Sequence, residues 1–423
     1  MAEITDTARP RWAESLVRET LADTPVSIVQ GARQVGKSTM VRRLVRERGG
    51  RLLSLDSADI LTAAEQDPDG FVRQFPVGLL AIDEAQRVPA LIRALKAAVD
   101  QDRRPGRFLI TGSADLLEVP GAGESLAGRA ETIPLYGFSQ GELLGVRDDL
   151  VTAIVADQLQ GLHSRTHVAG REEYARVIVA GGFPEAQSRP TRRRQRWFDN
   201  YLARVIEHDA AEVSRLRQLE RLDKLLRLIA SSNAGELVKA KIARQSGIPE
   251  TSVDPYVRLL ETLYLVHRLP AWRNSLPQRV VGRPKIIVID SGVAAHLAGQ
   301  TAERLTTFAA DDQFGPLFEA FVASELLKQQ TWSTTSFRLH HYRDREGHEV
   351  DLIAELADGR VIAFEIKAAR STVPGHLRGL AFLRDKLKDR FAAGVVLNTS
   401  LQPLRLGDRL WSAPASCLWA TFP

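Results

Sequence analysis

The sequence predicts an α/β protein of several domains, and three observations carry that expectation. Short apolar strands alternate with helical stretches from Val26 to about Phe138, a helix, helix, turn, helix, strand order follows from Leu219, and an α/β pattern resumes from about Phe314 to Pro423. At 423 residues the chain exceeds one ordinary core, and its 44% hydrophobic and 26% charged residues are the balance of a folded globular protein. The expected division is a parallel-sheet domain over 1–140, a helical segment over 141–218, a winged-helix domain over 219–300 and an α/β domain over 301–423.

Composition narrows the function classes. The single cysteine, Cys417, cannot close an intrachain disulfide, and no Cys/His cluster stands at zinc spacing. The start MAEITDTARP has no apolar stretch, and nowhere do eighteen uncharged apolar residues run together, so a cytoplasmic protein with no membrane partner is expected. The net charge of +5, mostly arginine, favours a phosphate-bearing partner.

The first domain opens with the strand VSIVQ and then the run Gly31, Ala32, Arg33, Gln34, Val35, Gly36, Lys37, Ser38, with Thr39 after it. This is GxxxxGK[ST] between an apolar strand and a helical stretch, where backbone N–H groups can point at a β-phosphate and a helix N-terminus adds partial positive charge. Lys37 reaches the β- and γ-phosphates in such a loop, and the Ser38 hydroxyl ligates Mg²⁺. ATP with Mg²⁺ is the expected cofactor.

Further strands complete that site. LLAIDEAQ, residues 79 to 86, ends in Asp83, expected to hold the metal through water, and Glu84, expected to orient or deprotonate the attacking water. RFLITGSA ends in Thr111 and Ser113, either of which can sense the γ-phosphate or the water. Arg129, in SLAGR, is a candidate for the cation that neutralises the transferring phosphoryl group. Given by a neighbouring subunit, it implies a homo-oligomer, such as a ring.

In the middle of the chain, residues 236 to 269 read as a helix-turn-helix. Ile242 and Ala243 are expected to face inward, SGIPE to make the turn, and Thr251 or Ser252 to cap a helix carrying Val257, Leu260 and Leu263 inward, with LVHRLPAW as the first wing strand. That helix carries only Arg258 as an outward cation, so both DNA and protein contact stay open. Before it, TRRRQRW (191 to 197) is locally basic.

Residues 348 to 367, HEVDLIAELADGRVIAFEIK, read as a hairpin around ADG, with Gly359 at the left-handed position after a type I turn. Pairing about Asp358 sets Asp351 opposite Glu365 and Glu349 opposite Lys367, and gathers Val350, Leu352 and Ala354 with Ile366, Phe364 and Ile362 on the other face. Opposed carboxylates repel unless a cation lies between them, and Mg²⁺ or Mn²⁺ suits oxygen ligands. Lys367 can then orient a water, and Glu319 on the helical stretch LFEAFVASELLKQQ can add a third carboxylate.

Taken together, GARQVGKST, LLAIDEAQ, LITGSA, SLAGR, GGFPE, IVIDSG, GPLFEAFV, EVDLI and FEIK resemble the bacterial and archaeal AAA-type ATPases that carry a C-terminal nuclease-like domain of unknown function. The resemblance spans most of the chain. It implies an AAA-like P-loop domain, a helical and winged-helix middle, and a C-terminus similar to the PD-(D/E)xK nuclease fold, on whose motif Glu319, Asp351, Glu365 and Lys367 fall. The implied activity is ATP hydrolysis coupled to a nucleic-acid-directed module, with DNA favoured over RNA as partner. The other reading is an ATP-gated binding protein whose nuclease fold is inactive.

Overall fold

The computed structural model describes residues 9–113, 126–157, 170–213, 219–273, 282–307 and 311–420. The start of the chain (residues 1–8), Ala114 of LITGSA and Ser125 of SLAGR lie outside the described residues. Two compact units divide the chain: Met1–Gly137 with Glu207–Arg215 and Thr262–Tyr264, and Phe138–Ile206 with Leu216–Glu261 and Leu265–Pro423.

Unit 1 contains helix α1 (Glu14–Asp23), strand β1 (Val26–Gln30), α2 (Lys37–Arg48), β2 (Arg51–Ser54), α3 (Ala58–Gln66), α4 (Pro68–Arg73), β3 (Leu80–Asp83), α5 (Ala90–Gln101), β4 (Phe108–Gly112) and β5 (Ala130–Pro134). The five strands form one sheet in the order β2-β3-β4-β1-β5, and every neighbouring pair is parallel. All residues of β1, β3 and β4 are buried, which explains why these strands read as largely apolar runs rather than as alternations. Leu80, Ile82, Phe108 and Ile110 pack with Leu91 and Leu95 of α5 in the core. The order places the C-terminal end of β1 beside that of β4, with β3 next, so the residues that follow these three strands share one edge.

Unit 2 holds α6 (Arg171–Ala180), α7 (Thr191–Arg204), α8 (Glu220–Ser231), α9 (Lys239–Ser246), α10 (Glu250–Thr262), β6 (Val266–Leu269), β7 (Lys285–Val288), α11 (Ser291–Leu297) and α12 (Asp311–Gln329). β6 and β7 pair antiparallel after the three helices α8, α9 and α10. One expectation fails locally: α10 begins at Glu250, behind Pro249, so Thr251 and Ser252 lie inside the helix instead of capping it. Proline's fixed φ suits the edge of a helix and starts this one ahead of the expected cap. Val257, Leu260 and Leu263 are buried, whereas Ile242 and Ala243 are only half-buried.

Two motifs meet here for a structural reason. Asp290 of IVIDSG caps α11 by accepting from Val293 N–H at 3.0 Å, and its other oxygen accepts from Gly182 N–H of GGFPE at 2.7 Å. Gly181 and Gly292 approach so closely that a Cβ on either would sit 2.9 Å from the other's backbone.

The rest of unit 2 is a six-stranded mixed sheet, ordered β12-β13-β11-β10-β9-β8, from β8 (Phe337–Arg343), β9 (Glu349–Leu356), β10 (Val361–Ile366), β11 (Phe391–Asn398), β12 (Leu404–Gly407) and β13 (Leu410–Pro414), with α13 (Arg378–Leu387) packed on it. The β9–β10 hairpin takes the register that its loop predicts, with Leu352 opposite Phe364 and Ala354 opposite Ile362. Gly359 has φ +81 at the turn. A one-residue slip would carry Asp351 and Glu365 into the apolar layer, so the pattern and the loop specify the same pairing.

Candidate functional site

The loop after β1 folds as its residue types require. Gly36 has φ +99, a conformation that side chains resist, and it starts α2 with its first N–H groups free of helical partners. A Cβ on Gly31 would lie 1.9 Å from the Leu135 carbonyl oxygen, so the first glycine is fixed by the close passage of the chain after β5. Gln34 is exposed with φ 65, and Thr39 is exposed on α2.

Lys37 is 4% exposed and donates to the carbonyls of Gly31 at 2.8 Å and Ala32 at 2.9 Å. Burial lowers its ammonium to about 8, against the pull of Glu84 and Asp83. Ser38 Oγ donates to Asp83 Oδ1 at 3.0 Å, and Thr111 Oγ1 donates to the same oxygen. Thr111 Oγ1 in turn accepts from the Glu84 N–H at 3.1 Å. Glu84 itself sits at φ 60, a left-handed conformation that costs a residue of its kind about 1–3 kcal/mol and turns the chain sharply at the end of β3.

Three further residues brace this arrangement. Gln86 Nε2 donates to Glu84 Oε2 at 2.5 Å and to Ser113 Oγ at 2.9 Å, joining two predicted site residues. Arg11 is buried, and its guanidinium donates to the Val35 carbonyl at 2.7 Å and to that of Tyr136 at 2.6 Å. Arg33, inside the loop, pairs through Nε with Asp209 Oδ2 at 3.0 Å. Gln86 was within reach of sequence reasoning, two positions after Glu84. Arg11 and Asp209 had no signal beyond their charge.

Arg129 stands apart from the loop. Its carbonyl accepts from the Val26 N–H at the beginning of β1, whereas the loop follows Gln30 at the other end, roughly 15 Å along a five-residue strand. Its Nε donates to Asp100 Oδ1 at 2.7 Å, a bond that holds the Asp100 carboxyl below its usual range.

In unit 2 the hairpin carboxylates do gather, but around an unforeseen residue. Lys285, at the start of β7 and with its side chain 5% exposed, places Nζ 2.7 Å from Glu319 Oε1, 3.2 Å from Glu349 Oε1 and 3.4 Å from Asp351 Oδ1. Lys367 pairs with Glu365 Oε1 at 2.6 Å and approaches Asp351 Oδ2 at 3.6 Å. Asp351 Oδ2 accepts the Ile366 N–H at 2.8 Å. The expected opposition of Glu349 and Lys367 is replaced, because Glu349 turns to Lys285 and, at 3.8 Å, to Arg343. Burial and the charge of Asp351 push Glu319 up to about 8 and Glu365 up to about 7. Burial opposes the Lys285 charge, but Glu319 and Asp351 outweigh it and raise the ammonium above its usual range.

The two acidic sites answer differently to a divalent ion. Ser38 and Asp83 offer adjacent hard oxygen donors at the mouth of the loop, which suits Mg²⁺. At the hairpin, an ammonium lies among Glu319, Glu349 and Asp351. Among the described residues, the trio whose ligand atoms lie within 4.8 Å of one another is Asp344, Glu346 and His348, not the predicted Glu319, Asp351 and Glu365.

Comparison with known proteins agrees with this geometry for unit 1. Residues 23–144 match the model of the AAA domain. Over that segment the chain is similar to AAA domains. Residues 171–304 and 314–418 match two domains of unknown function, DUF8612 and DUF4143. An uncharacterized protein of Mycobacterium tuberculosis is 28% identical over 420 residues, covering 97% of this chain and 85% of the relative, and one of Mycobacterium bovis matches equally. Among solved structures, the Walker-type ATPase of Pyrococcus abyssi is 15% identical, covers 69% of this chain and 97% of its own, and has a TM-score of 0.42. The ORC2 protein of Aeropyrum pernix is 15% identical over 69% of this chain and 92% of its own, at a TM-score of 0.33. At such scores neither likeness bears on function. No helix among the described residues is long and apolar enough to cross a membrane.

Proposed function

We propose that the protein hydrolyses ATP at the AAA domain and couples turnover to a nucleic-acid-directed module in unit 2. The observation that carries this reading is the Asp83 carboxylate, which joins the Ser38 and Thr111 hydroxyls at the mouth of the loop while Thr111 holds the backbone of Glu84. A site that only binds nucleotide has no need of a carboxylate positioned beyond the metal ligand.

The roles follow from chemistry. Loop N–H groups and Lys37 receive the phosphates. Ser38 and Asp83 would hold Mg²⁺, which, when bound, neutralises charge on the phosphate oxygens. Glu84 takes the proton of the attacking water, and Gln86 with Ser113 fixes the direction of its carboxylate. Arg129 lies at the end of β1 away from its own loop, so a role at a phosphate would require it to serve a neighbouring copy.

The nucleic-acid half rests on α7, where Arg192, Arg193 and Arg196 are exposed and have no carboxylate partner among the described residues. α10, the second helix of the winged-helix reading, offers Arg258, while its acidic residues are engaged: Asp254 pairs with Lys239, and Glu261 with Arg268 at 3.0 Å. Phosphate contact therefore fits α7 better than base readout by α10. A PD-(D/E)xK-like hairpin that grips nucleic acid without cutting it is the second reading, and the Lys285 ammonium among the carboxylates favours it.

The test is phosphate release with and without DNA. Wild type should turn over ATP, Glu84→Gln should bind Mg²⁺-ATP yet lose roughly a hundredfold or more in rate, and Lys37→Ala should lose binding. Clean Mg²⁺-ATP binding without turnover in either condition would overturn the proposal.

A further inference from the structure

The carboxylate cluster of unit 2 is built around a cation that the chain itself supplies. Lys285 is no wandering surface lysine. Its strand position is fixed by pairing with Leu269 of β6 and by a bridge to Glu236 on its other side, and the side chain is 5% exposed. From that anchor the ammonium reaches oxygens from α12 and β9, the carboxylates of Glu319, Glu349 and Asp351, at 2.7, 3.2 and 3.4 Å. An ammonium has three protons, and three acceptors surround this one.

The acceptors are correspondingly committed. Asp351 spends one oxygen on Lys285 and the other on the Ile366 N–H, and Glu365 gives Oε1 to Lys367. Glu365 Oε2 is buried without a hydrogen-bond partner. A Mg²⁺ or Mn²⁺ ion asks for about six oxygens at close range, and the donors from α12 and β9 that could begin such a shell already converge on nitrogen. Breaking a buried pair by removing one partner strands the other charge, so the ammonium does not leave readily.

We propose that Lys285 is the resident cation of this cluster, standing where a divalent ion would otherwise bind, and that the site takes no metal while that ammonium is in place. This inference is independent of the nucleotide site. It deepens the second reading by naming the residue that replaces metal chemistry with internal charge neutralisation. Removing the ammonium should convert the cluster into a metal site.

The experiment is Mn²⁺ titration of the nucleotide-free full chain, followed by electron paramagnetic resonance of the unbound ion. Wild type and Asp351→Asn are compared first, because any binding at the nucleotide loop or at Asp344, Glu346 and His348 cancels in the difference. Equal binding by the two is expected. One more Mn²⁺ per chain in wild type than in Asp351→Asn would overturn the proposal. Lys285→Met should gain one Mn²⁺ per chain, and Lys285→Met/Asp351→Asn should not. A folded Lys285→Met protein with no such gain would show that the ammonium does not stand in a metal's place. Should that variant fail to fold, the first comparison decides.

Discussion

Gln86 Nε2 lies 2.5 Å from Glu84 Oε2, and the same amide donates to Ser113 Oγ at 2.9 Å. A residue with no charge of its own thus sets the direction of the carboxylate proposed as general base. Gln86→Ala should lower kcat by about tenfold or more, since misplacing a reacting group is costly even when the group remains. Nucleotide affinity should hardly change. Phosphate release and fluorescent-nucleotide titration separate the two, and an unchanged kcat would remove Gln86 from the positioning role.

The Arg33–Asp209 pair holds the loop interior to a residue far along the chain. Its side chains are 30% and 8% exposed, so solvent screens it in part. A double-mutant cycle on Arg33→Ala and Asp209→Ala should give a coupling of about 1 kcal/mol in urea unfolding of unit 1. Both single variants should bind nucleotide more weakly than wild type. Additive effects would mean that the pair does not brace the loop.

Arg129 lies at the end of β1 opposite the loop that it is proposed to serve. Arg129→Ala should therefore lose turnover with nucleotide binding kept, and mixing it with Glu84→Gln should restore activity above either variant alone, since one copy can lend what the other lacks. Light scattering with ATP reports the assembly. A monomer throughout, or no recovery on mixing, would contradict a group donated in trans.

The arginines of α7 make a separate forecast. Charge reversal of Arg192, Arg193 and Arg196 should weaken binding to DNA of any sequence and reduce the slope of log K against log salt by about 0.9 for each phosphate no longer neutralised. Fluorescence anisotropy across a salt series measures both. An unaltered slope would move the phosphate-binding surface elsewhere.

Stability should depend on pH through the hairpin cluster. A carboxyl whose folded pKa is raised keeps its stability below its ordinary value of 4.5 and loses it as pH rises through the folded value, here about 8 for Glu319. Lys37, lowered to about 8, acts in the opposite sense, so the comparison must be between variants. In a metal chelator, the urea midpoint of Glu319→Gln should fall less between pH 6 and pH 9 than that of wild type. Parallel curves would mean that Glu319 is already ionised across this range.

Much of this was written locally. The loop motif between an apolar strand and a helix, the carboxylates ending LLAID, and the ADG hairpin with its register all depend on residues near one another in the chain, where turn chemistry and alternation act directly. The missed cap of α10 is the local exception, since Pro249 fixed the helix start where the hydroxyls of Thr251 and Ser252 suggested a later one.

By itself the sequence determined four strands of the first sheet and their parallel rhythm, the glycine-rich loop after β1 and the pairing that brings Asp351 and Glu365 to one side of a hairpin, while the fifth strand, Ala130–Pro134, was not legible in it. Only the tertiary structure decided what stands beside them: Asp209 against Arg33, Arg11 under the loop, and Lys285 among Glu319, Glu349 and Asp351. Periodicity reports which face of an element is buried, but not which distant charge will share that burial. A lysine 66 positions before Asp351 becomes its neighbour only once β7, β9 and α12 have packed.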